Sequence, residues 1–255
     1  SRLFSARNRI NILLYGQEAR FYSIGISDAT NYYVQFDPDF KVDIPGGYGK
    51  YRIGSIGKLA DLENKPDIYR RTFSALIGTF LNYYFYPSRS DIYYGGKTGN
   101  EFLPLSLKDI FLSASNANLF ERFYLFLFAT RLGTGKYKNL PFSPDSFRGE
   151  YQGYFYHEVY RKEKLSVQIL YSNSYKTAGK ISEIIEGQGI RVGDISQEKQ
   201  TDFCKVSEQT TKRFSQTAQA LANYFNCSLE QNSTGAYDIL FTLGHLEKDW
   251  EIGSK

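Results

Sequence analysis

The sequence predicts an α/β protein with two domains, a larger mixed-sheet N-terminal domain and a smaller C-terminal domain built from βαβ units. A chain of 255 residues, 42% of them hydrophobic, can bury a substantial core and is not a disordered tail. Strand-length apolar runs alternate with segments of helical periodicity, most regularly after residue 165. Glycines and prolines concentrate at 133–153. We therefore place the domains at 1–160 and 165–250.

The N-terminal half opens with strands. INILLYG (10–16) is an apolar run that ends in glycine, as expected of a buried strand. NYYVQF (31–36) and FKVDI (40–44) predict a hairpin-like pair or two neighbouring strands.

Two helices follow in the same half. Pro66 suits the first turn of a helix because its missing N–H would be unpaired there. Apolar residues at three- and four-residue steps form the predicted face of that helix: Tyr69, Phe73, Leu76, Phe80 and Tyr84. A second helix, about 117–132, is apolar on most sides, so we expect other elements to enclose it.

The C-terminal domain repeats a strand–helix–strand pattern. LSVQILY (165–171) is a strand, Ser174 can cap the helix that follows, and IRVGDI (190–195) is the next strand. A second round runs from FCKVS (203–207) through a helix ending near Phe225, and strands at 227–230 and 237–244 complete the domain.

The stretch VDIPGGYGKYRIGSI (42–56) leaves two interpretations open. Gly46, Gly47 and Gly49 allow positive φ and close approach of backbone N–H groups to an anion, which Lys50 and Arg52 could neutralise. The same glycines also suit an ordinary turn at the end of a strand, and such turns are commoner than anion cradles.

Cys204 and Cys227 are the two cysteines of the chain. One lies in a predicted strand and the other follows the helix that leaves it, so neighbouring strands would bring the sulfurs together as a disulfide. Two buried free thiols are the alternative. A disulfide would indicate an oxidising compartment.

Composition excludes several function classes. The net charge of +4 comes from 31 basic and 27 acidic residues without a basic block, so no nucleic-acid partner is predicted. His157, His245 and the separated cysteines show no metal-ligand spacing, so we predict neither a metal site nor a cofactor. Tyrosine and phenylalanine supply most of the 17% aromatic content, typical of an aromatic-walled groove or equally of an aromatic core.

Residues 165–245 contain VQILYSNSYKTAGKISEIIEGQGIRV and YDILFTLG, which give a strand ending in Asn173, an alanine-containing helix, a G-x-G turn and a closing strand with a Leu-Gly pair. In this order of segments the region resembles the LytR C-terminal domain of bacterial envelope proteins. In that family the domain commonly follows a LytR-CpsA-Psr (LCP) domain. The LCP domain is membrane-anchored and transfers glycopolymers from an undecaprenyl-diphosphate carrier to peptidoglycan.

The first half is similar to that catalytic domain at four places: NILLYGQEAR, SDAT, VDIPGG and the helix RRTFSALIGTFLNYY. It departs from the family where the diphosphate is held. Ile26 and Ser27 stand where the family has arginine before Ser-Asp, and Gly46 and Gly47 stand where it has Arg-Asp. A diphosphate needs several fixed cations, and lysines on loops do not reproduce a bidentate arginine clamp.

The resemblance implies a degenerate LCP-like envelope protein that is non-catalytic or weakly active and binds or scaffolds at the cell wall. Its partners would be a cell-wall glycan or a polyprenyl-linked lipid. The alternative is an active phosphotransferase, with Mg as a possible cofactor only in that case. Its phosphate-binding residues would be Arg20, Asp28, Lys50 and Arg52.

A surviving lipid pocket would be walled by apolar residues of the second helix: Phe120, Phe123, Leu127 and Phe128.

We expect an extracytoplasmic protein anchored to the bacterial membrane. The first residue is Ser1, so an upstream segment would carry any signal peptide or anchor. The apolar run at 119–132 is too short and too charged to span a membrane.

Overall fold

The computed structural model describes residues 8–16, 18–88, 102–132, 137–199, 201–210 and 213–253, without the side chains of 128–132. It has mixed α/β structure, which confirms the predicted fold class. The chain divides into two compact units: the first is Ser1–Val42, Lys50–Leu76 and Leu81–Glu150, and the second is Asp43–Gly49, Ile77–Phe80 and Tyr151–Lys255. The last change of unit therefore precedes the predicted boundary near residue 160.

A mixed sheet forms the centre of the first unit. Its strands, in chain order, are β1 (Arg9–Tyr15), β2 (Ala19–Gly25), β3 (Asn31–Phe36), β6 (Tyr83–Tyr86), β7 (Ala114–Ser115) and β8 (Tyr137–Asn139). Within the described residues their order in the sheet is β7-β6-β1-β2-β3-β8. β2 lies antiparallel to both β1 and β3, whereas β6 and β8 run parallel to β1 and β3.

The predicted strands at 31–36 and 40–44 both form, but the prediction that they are a hairpin-like pair or neighbouring strands is wrong. β4 (Lys41–Ile44) pairs instead with β5 (Gly49–Arg52) in a separate two-stranded sheet, while β3 pairs with β2 and β8. The reason is the glycine-rich turn between β4 and β5, which reverses the chain immediately after β4.

Helices cover both faces of the six-stranded sheet. After a short 3-10 helix (Ile53–Ser55), α1 (Ile56–Leu62) and α2 (Asp67–Ile77) follow, and α2 lays Tyr69 on Tyr15 with ring centroids 4.8 Å apart. α3 (Leu107–Leu112) and α4 (Leu119–Leu132) belong to the other face, where Ile110 and Leu125 join Leu14 and Tyr22 in one core cluster. Strand side chains alternate between faces, so Leu14 and Tyr15 point to opposite layers.

The predicted face of the first helix is correct only up to Leu76. Gly78 has φ of 73° and follows the last residue of α2 directly. Positive φ costs glycine little and stops a helix. Tyr84, which we placed on the helix, therefore lies on β6.

The second unit contains the two predicted βαβ elements. Its strands are β9 (Ser166–Tyr171), β10 (Arg191–Gln197), β11 (Lys205–Glu208), β12 (Ser228–Gln231) and β13 (Ile239–Thr242), in the order β10-β9-β13-β11-β12. α7 (Tyr175–Gly187) connects the parallel strands β9 and β10, and α8 (Gln216–Phe225) connects the parallel strands β11 and β12. Two short helices, α6 (Glu158–Glu163) and α9 (Leu246–Asp249), also lie in this unit, whereas α5 (Phe147–Tyr151) lies in the first unit up to Glu150.

Local chemistry explains where these two helices begin. The hydroxyls of Ser174 and Ser215 accept hydrogen bonds from Thr177 N and Ala218 N, so both serines act as N-caps. The cap at Ser174 is the one that the sequence predicts.

The core of the second unit is aromatic where α8 meets the sheet. The ring of Phe225 lies 5.1 Å from that of Phe241 and 5.5 Å from that of Trp250. Beside it, α7 approaches the segment 77–80 so closely that a Cβ on Gly187 would collide with the carbonyl oxygen of Gly78. Close packing of backbone against backbone thus requires glycine at 187.

Candidate functional site

Arg20 is the predicted phosphate-binding residue with the most enclosed position. It lies on β2 with its side chain largely buried, and its Nε donates to Glu18 Oε2 at 3.1 Å. Gln35 Nε2 donates to the same carboxylate oxygen at 3.1 Å. Burial works to lower the pKa of Arg20, but Tyr22, Glu18 and Tyr33 together raise it above its ordinary value. Arg20 is therefore a fixed cation that is already paired with a carboxylate of the protein itself, that of Glu18.

An aromatic cluster adjoins Arg20 on the same face of the sheet. Tyr22 and Tyr33 are partners in the β2–β3 register with ring centroids 5.3 Å apart, and the Tyr22 hydroxyl donates to Leu103 O at 2.6 Å. Phe102 stacks on Tyr137 at 4.6 Å and packs against Tyr33 at 5.2 Å. Burial raises the pKa of Tyr22 and of Tyr33, and raises that of Tyr137 to about 12, so these phenols stay neutral. Tyr22 and Tyr33 are fully buried, which makes them core residues beside the cation.

Asp28 lies in the connection that follows the other end of β2. Its carboxylate accepts from Arg9 Nη2 at 2.7 Å and from Thr30 N at 3.0 Å. Arg9 pairs with Gly25 in the sheet register, whereas Arg20 pairs with Leu14. Five residues of extended strand span about 16 Å, so Asp28 and Arg20 do not share a site.

Lys50 and Arg52 lie on β5, away from both. Lys50 is exposed, and exposed Arg52 has its Nη1 3.5 Å from Asp39 Oδ1. The carbonyl of the next residue, Ile53, accepts from the Tyr15 hydroxyl at 3.0 Å, which places this segment beside the face opposite Arg20. The structure therefore does not bring the four predicted phosphate-binding residues together.

The glycine-rich stretch forms a turn. Gly46, Gly47 and Gly49 have φ of 101°, 76° and 81°, values that L side chains rarely adopt. The N–H groups of Gly46 and Gly47 both donate to the carbonyl oxygen of Glu251, at 2.9 and 3.2 Å. Because that carbonyl takes the two donors an anion would need, the turn interpretation is the one that the structure supports.

The predicted enclosure of the apolar helix is wrong. Phe120, Phe123 and Leu127 of α4 are all exposed, while Leu125 is buried; the side chain of Phe128 lies outside the described residues. The sheet offers α4 one surface, so a helix that is apolar on every side leaves the rest uncovered. The three exposed residues therefore do not wall an enclosed lipid pocket.

Cys204 and Cys227 form the predicted disulfide, with Cα atoms 5.0 Å apart. Each cysteine immediately precedes one of the parallel strands β11 and β12, whose first residues, Lys205 and Ser228, are register partners. Parallel neighbours begin at the same end of a sheet, and this brings the two sulfurs together.

A buried polar network around Arg9 was missed by sequence reasoning. Arg9 Nη1 donates to Ser23 Oγ at 3.0 Å, and Ser23 Oγ donates to Asn11 Oδ1 at 2.7 Å. The available signal was the alternation of Arg9 and Asn11 in the otherwise apolar RINILLY, which puts both on one face. Arg9 also forms an ion pair with Asp28. The network therefore has a structural role, because it holds the connection between β2 and β3 in place.

Arg122 was likewise a residue without an assigned role. Its Nη1 donates to Ile110 O and Ser113 O, both at 2.8 Å, and its Nη2 donates to Ser115 Oγ at 2.9 Å. Arg122 therefore satisfies the carbonyls at the C-terminal end of α3, where a cation is favoured.

Among the described residues, no group of three or more His, Cys, Asp or Glu side chains is placed to hold a metal ion. No helix in the described ranges combines the length and apolarity needed to cross a membrane.

Comparison with known proteins gives remote structural neighbours. No protein-family model matches the chain, and no curated protein does. A transcriptional regulator from Enterococcus faecalis is 16% identical over 32% of each chain, with a TM-score of 0.28. TagT from Bacillus subtilis is 16% identical over 32% of this chain and 34% of its own, with a TM-score of 0.27. A structure of TagT bound to LIIa-WTA is 12% identical over 86% of this chain and 90% of its own, with a TM-score of 0.28. The chain thus spans about a third of the length of the first two. At these TM-scores the likeness carries no conclusion about function.

Proposed function

We propose that this chain is a bacterial cell-envelope protein that binds or scaffolds at the cell wall and does not transfer glycopolymers. The proposal starts from the resemblance of residues 165–245 to the LytR C-terminal domain and of the strand-and-turn segments of the first half to LCP domains. Its ligand class is a cell-wall glycan or a polyprenyl-linked lipid.

The dispersal of the candidate cations is the observation that carries the choice of binding over transfer. Arg20 bonds to Glu18 on one face of the sheet, and Arg52 lies near Asp39 beside the other. Phosphoryl transfer depends on several cations fixed around one phosphate group, with little covalent chemistry left for the protein. Cations on opposite faces of a sheet cannot supply that arrangement.

The disulfide supports the extracytoplasmic part of the proposal. Cys204 and Cys227 are paired, and disulfides persist in oxidising compartments and are rare in the bacterial cytosol.

Two assays on the purified chain test the proposal. In the first, a polyprenyl-diphosphate-linked glycan donor is incubated with peptidoglycan and the protein, and we expect no transfer above a protein-free control. In the second, cosedimentation with insoluble peptidoglycan should deplete the protein from solution. Robust turnover that Arg52→Ala abolishes would establish the phosphotransferase alternative instead. Absence of both transfer and cosedimentation would remove the cell-wall role.

A further inference from the structure

The outer surface of α4 is an apolar stripe. Phe120, Phe123, Tyr124 and Leu127 fall within an arc of about 100° at 3.6 residues per turn. All four are exposed, with Phe120 at 72% and Phe123 at 55%. Leu119 extends the stripe at its N-terminal end. Such a surface is unusual for an isolated soluble helix, whose outer side is normally polar.

Both charged residues between Leu119 and Leu127 turn away from this stripe. Glu121 is buried and its Oε2 accepts from Asn118 N at 3.0 Å, which caps the start of the helix. Arg122 points toward the end of α3, where it donates to backbone carbonyls. The stripe itself therefore carries no charge that association would have to strip of water.

We propose that this stripe is the interface at which two copies of the chain associate about a twofold axis. The exposed apolar area of α4 is about 600 Å², taking roughly 200 Å² for a Leu, Phe or Tyr side chain. Standard protein interfaces begin at about 600 Å² per partner, whereas the largest apolar patch on a monomer is about 300–600 Å².

The chemistry of the stripe fits a self-complementary contact. In a twofold interface the same patch faces itself, so any outward charge near the axis meets its own copy and repels it. α4 avoids this because Glu121 and Arg122 are turned inward. Side chains three and four residues apart, as at positions 120, 123 or 124, and 127, form ridges that interdigitate with those of an antiparallel copy of the same helix.

A membrane surface is the competing occupant, and charge argues against it. Helices that lie in a membrane interface carry many Lys and Arg residues on their polar side. Over the described side chains of α3 and α4, Lys108 is the one exposed cation, because the guanidinium of Arg122 bonds to carbonyls.

Sedimentation equilibrium of the full chain tests the proposal directly. Between about 1 and 100 µM the average mass should rise from 29.3 kDa towards twice that value. Phe120→Glu should raise the dissociation constant at least about tenfold, because a charge is placed within the apolar contact. Phe203→Glu is the matched control, since Phe203 is 79% exposed but lies in the second unit, and it should leave the dissociation constant unchanged.

A crosslinking measurement keeps the test independent of how the Glu variant folds. Phe123→Cys retains an uncharged stripe and should form a disulfide-linked dimer under mild oxidation, while Leu62→Cys, at the more exposed Leu62 of α1, should not. Either result would overturn the proposal: a chain that stays monomeric at the highest concentration, or a dimer that Phe120→Glu leaves intact. Monomeric protein that binds phosphatidylcholine vesicles through Phe120 would likewise overturn it in favour of a lipid surface. None of these outcomes depends on cell-wall binding.

Discussion

Replacing Glu247 by glutamine should weaken the second unit more than any exposed charge change. Glu247 is buried on α9, and its carboxylate accepts three backbone hydrogen bonds: from Ser172 N at 2.5 Å, and from Asn173 N and Ser174 N at 2.8 Å. These three donors precede α7, and Ser174 is its N-cap. One carboxylate thus fixes the strand-to-helix turn and lies at the positive end of the helix dipole.

The expected magnitude follows from those contacts. Glutamine keeps one acceptor oxygen, which can serve the two donors that share Oε2, but its NH₂ group then faces the N–H of Ser172. A hydrogen bond to a charged group is worth about 1.5–3 kcal/mol, and an unpaired buried donor costs about 1–3 kcal/mol. We expect Glu247→Gln to lower the free energy of unfolding by about 2–3 kcal/mol.

Urea unfolding followed by tryptophan fluorescence is the assay, because Trp250 is the single tryptophan and is buried in the same unit. With m of about 1–3 kcal/mol/M, the midpoint should fall by about 1 M. Glu198→Gln, at an exposed position, is the control and should move the midpoint little. If Glu247→Gln costs less than about 0.5 kcal/mol relative to that control, the carboxylate does not hold the turn as described.

Three further predictions concern the second unit. Gly187→Ala should destabilise this unit, because the new Cβ collides with the carbonyl of Gly78. Gly179→Ala, with open space around its Cβ, should instead stabilise it by up to about 1 kcal/mol. Urea midpoints that shift in the same direction for both variants would contradict this. Reducing the Cys204–Cys227 bridge should lower the free energy of unfolding by about 3 kcal/mol. Urea unfolding with and without reductant measures this, and equal midpoints would show that the bridge does not restrict the unfolded chain. Hydrogen bonds from Ser196 and then Gln168 lower the pKa of Asp194. The stabilising contribution of Asp194 is therefore present above the pKa of the unfolded state and is lost as pH falls through the pKa of the folded state. In a ¹³C NMR titration the pKa of Asp194 should be higher in Ser196→Ala than in the unchanged protein, and an equal value would exclude the hydrogen bond as the cause.

The sequence predicted best those elements that local chemistry defines. Ser174 caps α7, the helix ends at a glycine, and the parallel strands on either side of it follow from the βαβ pattern. The disulfide also followed from chain order, because Cys204 lies in a predicted strand and Cys227 follows the helix that leaves it. In these cases the determining contacts are made by neighbours in sequence or by a regular crossover.

Elements whose identity depends on distant partners were predicted poorly. β2 (Ala19–Gly25) mixes arginine, serine and glycine with aromatics, and it becomes a central strand because β1 and β3 flank it. α4 is apolar enough to predict burial, but periodicity measures only which residues avoid water. It does not measure how much of the apolar helix surface the sheet can cover.

Dependence on distant partners also limits the prediction of the candidate site. Arg20 and Asp28 are eight residues apart, and the resemblance to LCP domains suggested that they share one phosphate site. An extended strand advances about 3.3 Å per residue, so β2 itself carries them to opposite ends of the sheet. Glu247, by contrast, is more than seventy residues from the turn at 172–174 and yet binds three of its N–H groups. Along strands, neighbours in sequence are held apart, and groups that act together are assembled across the fold. A motif within a strand-rich segment therefore predicts a binding site only when its residues occupy the same end of the sheet and the same face.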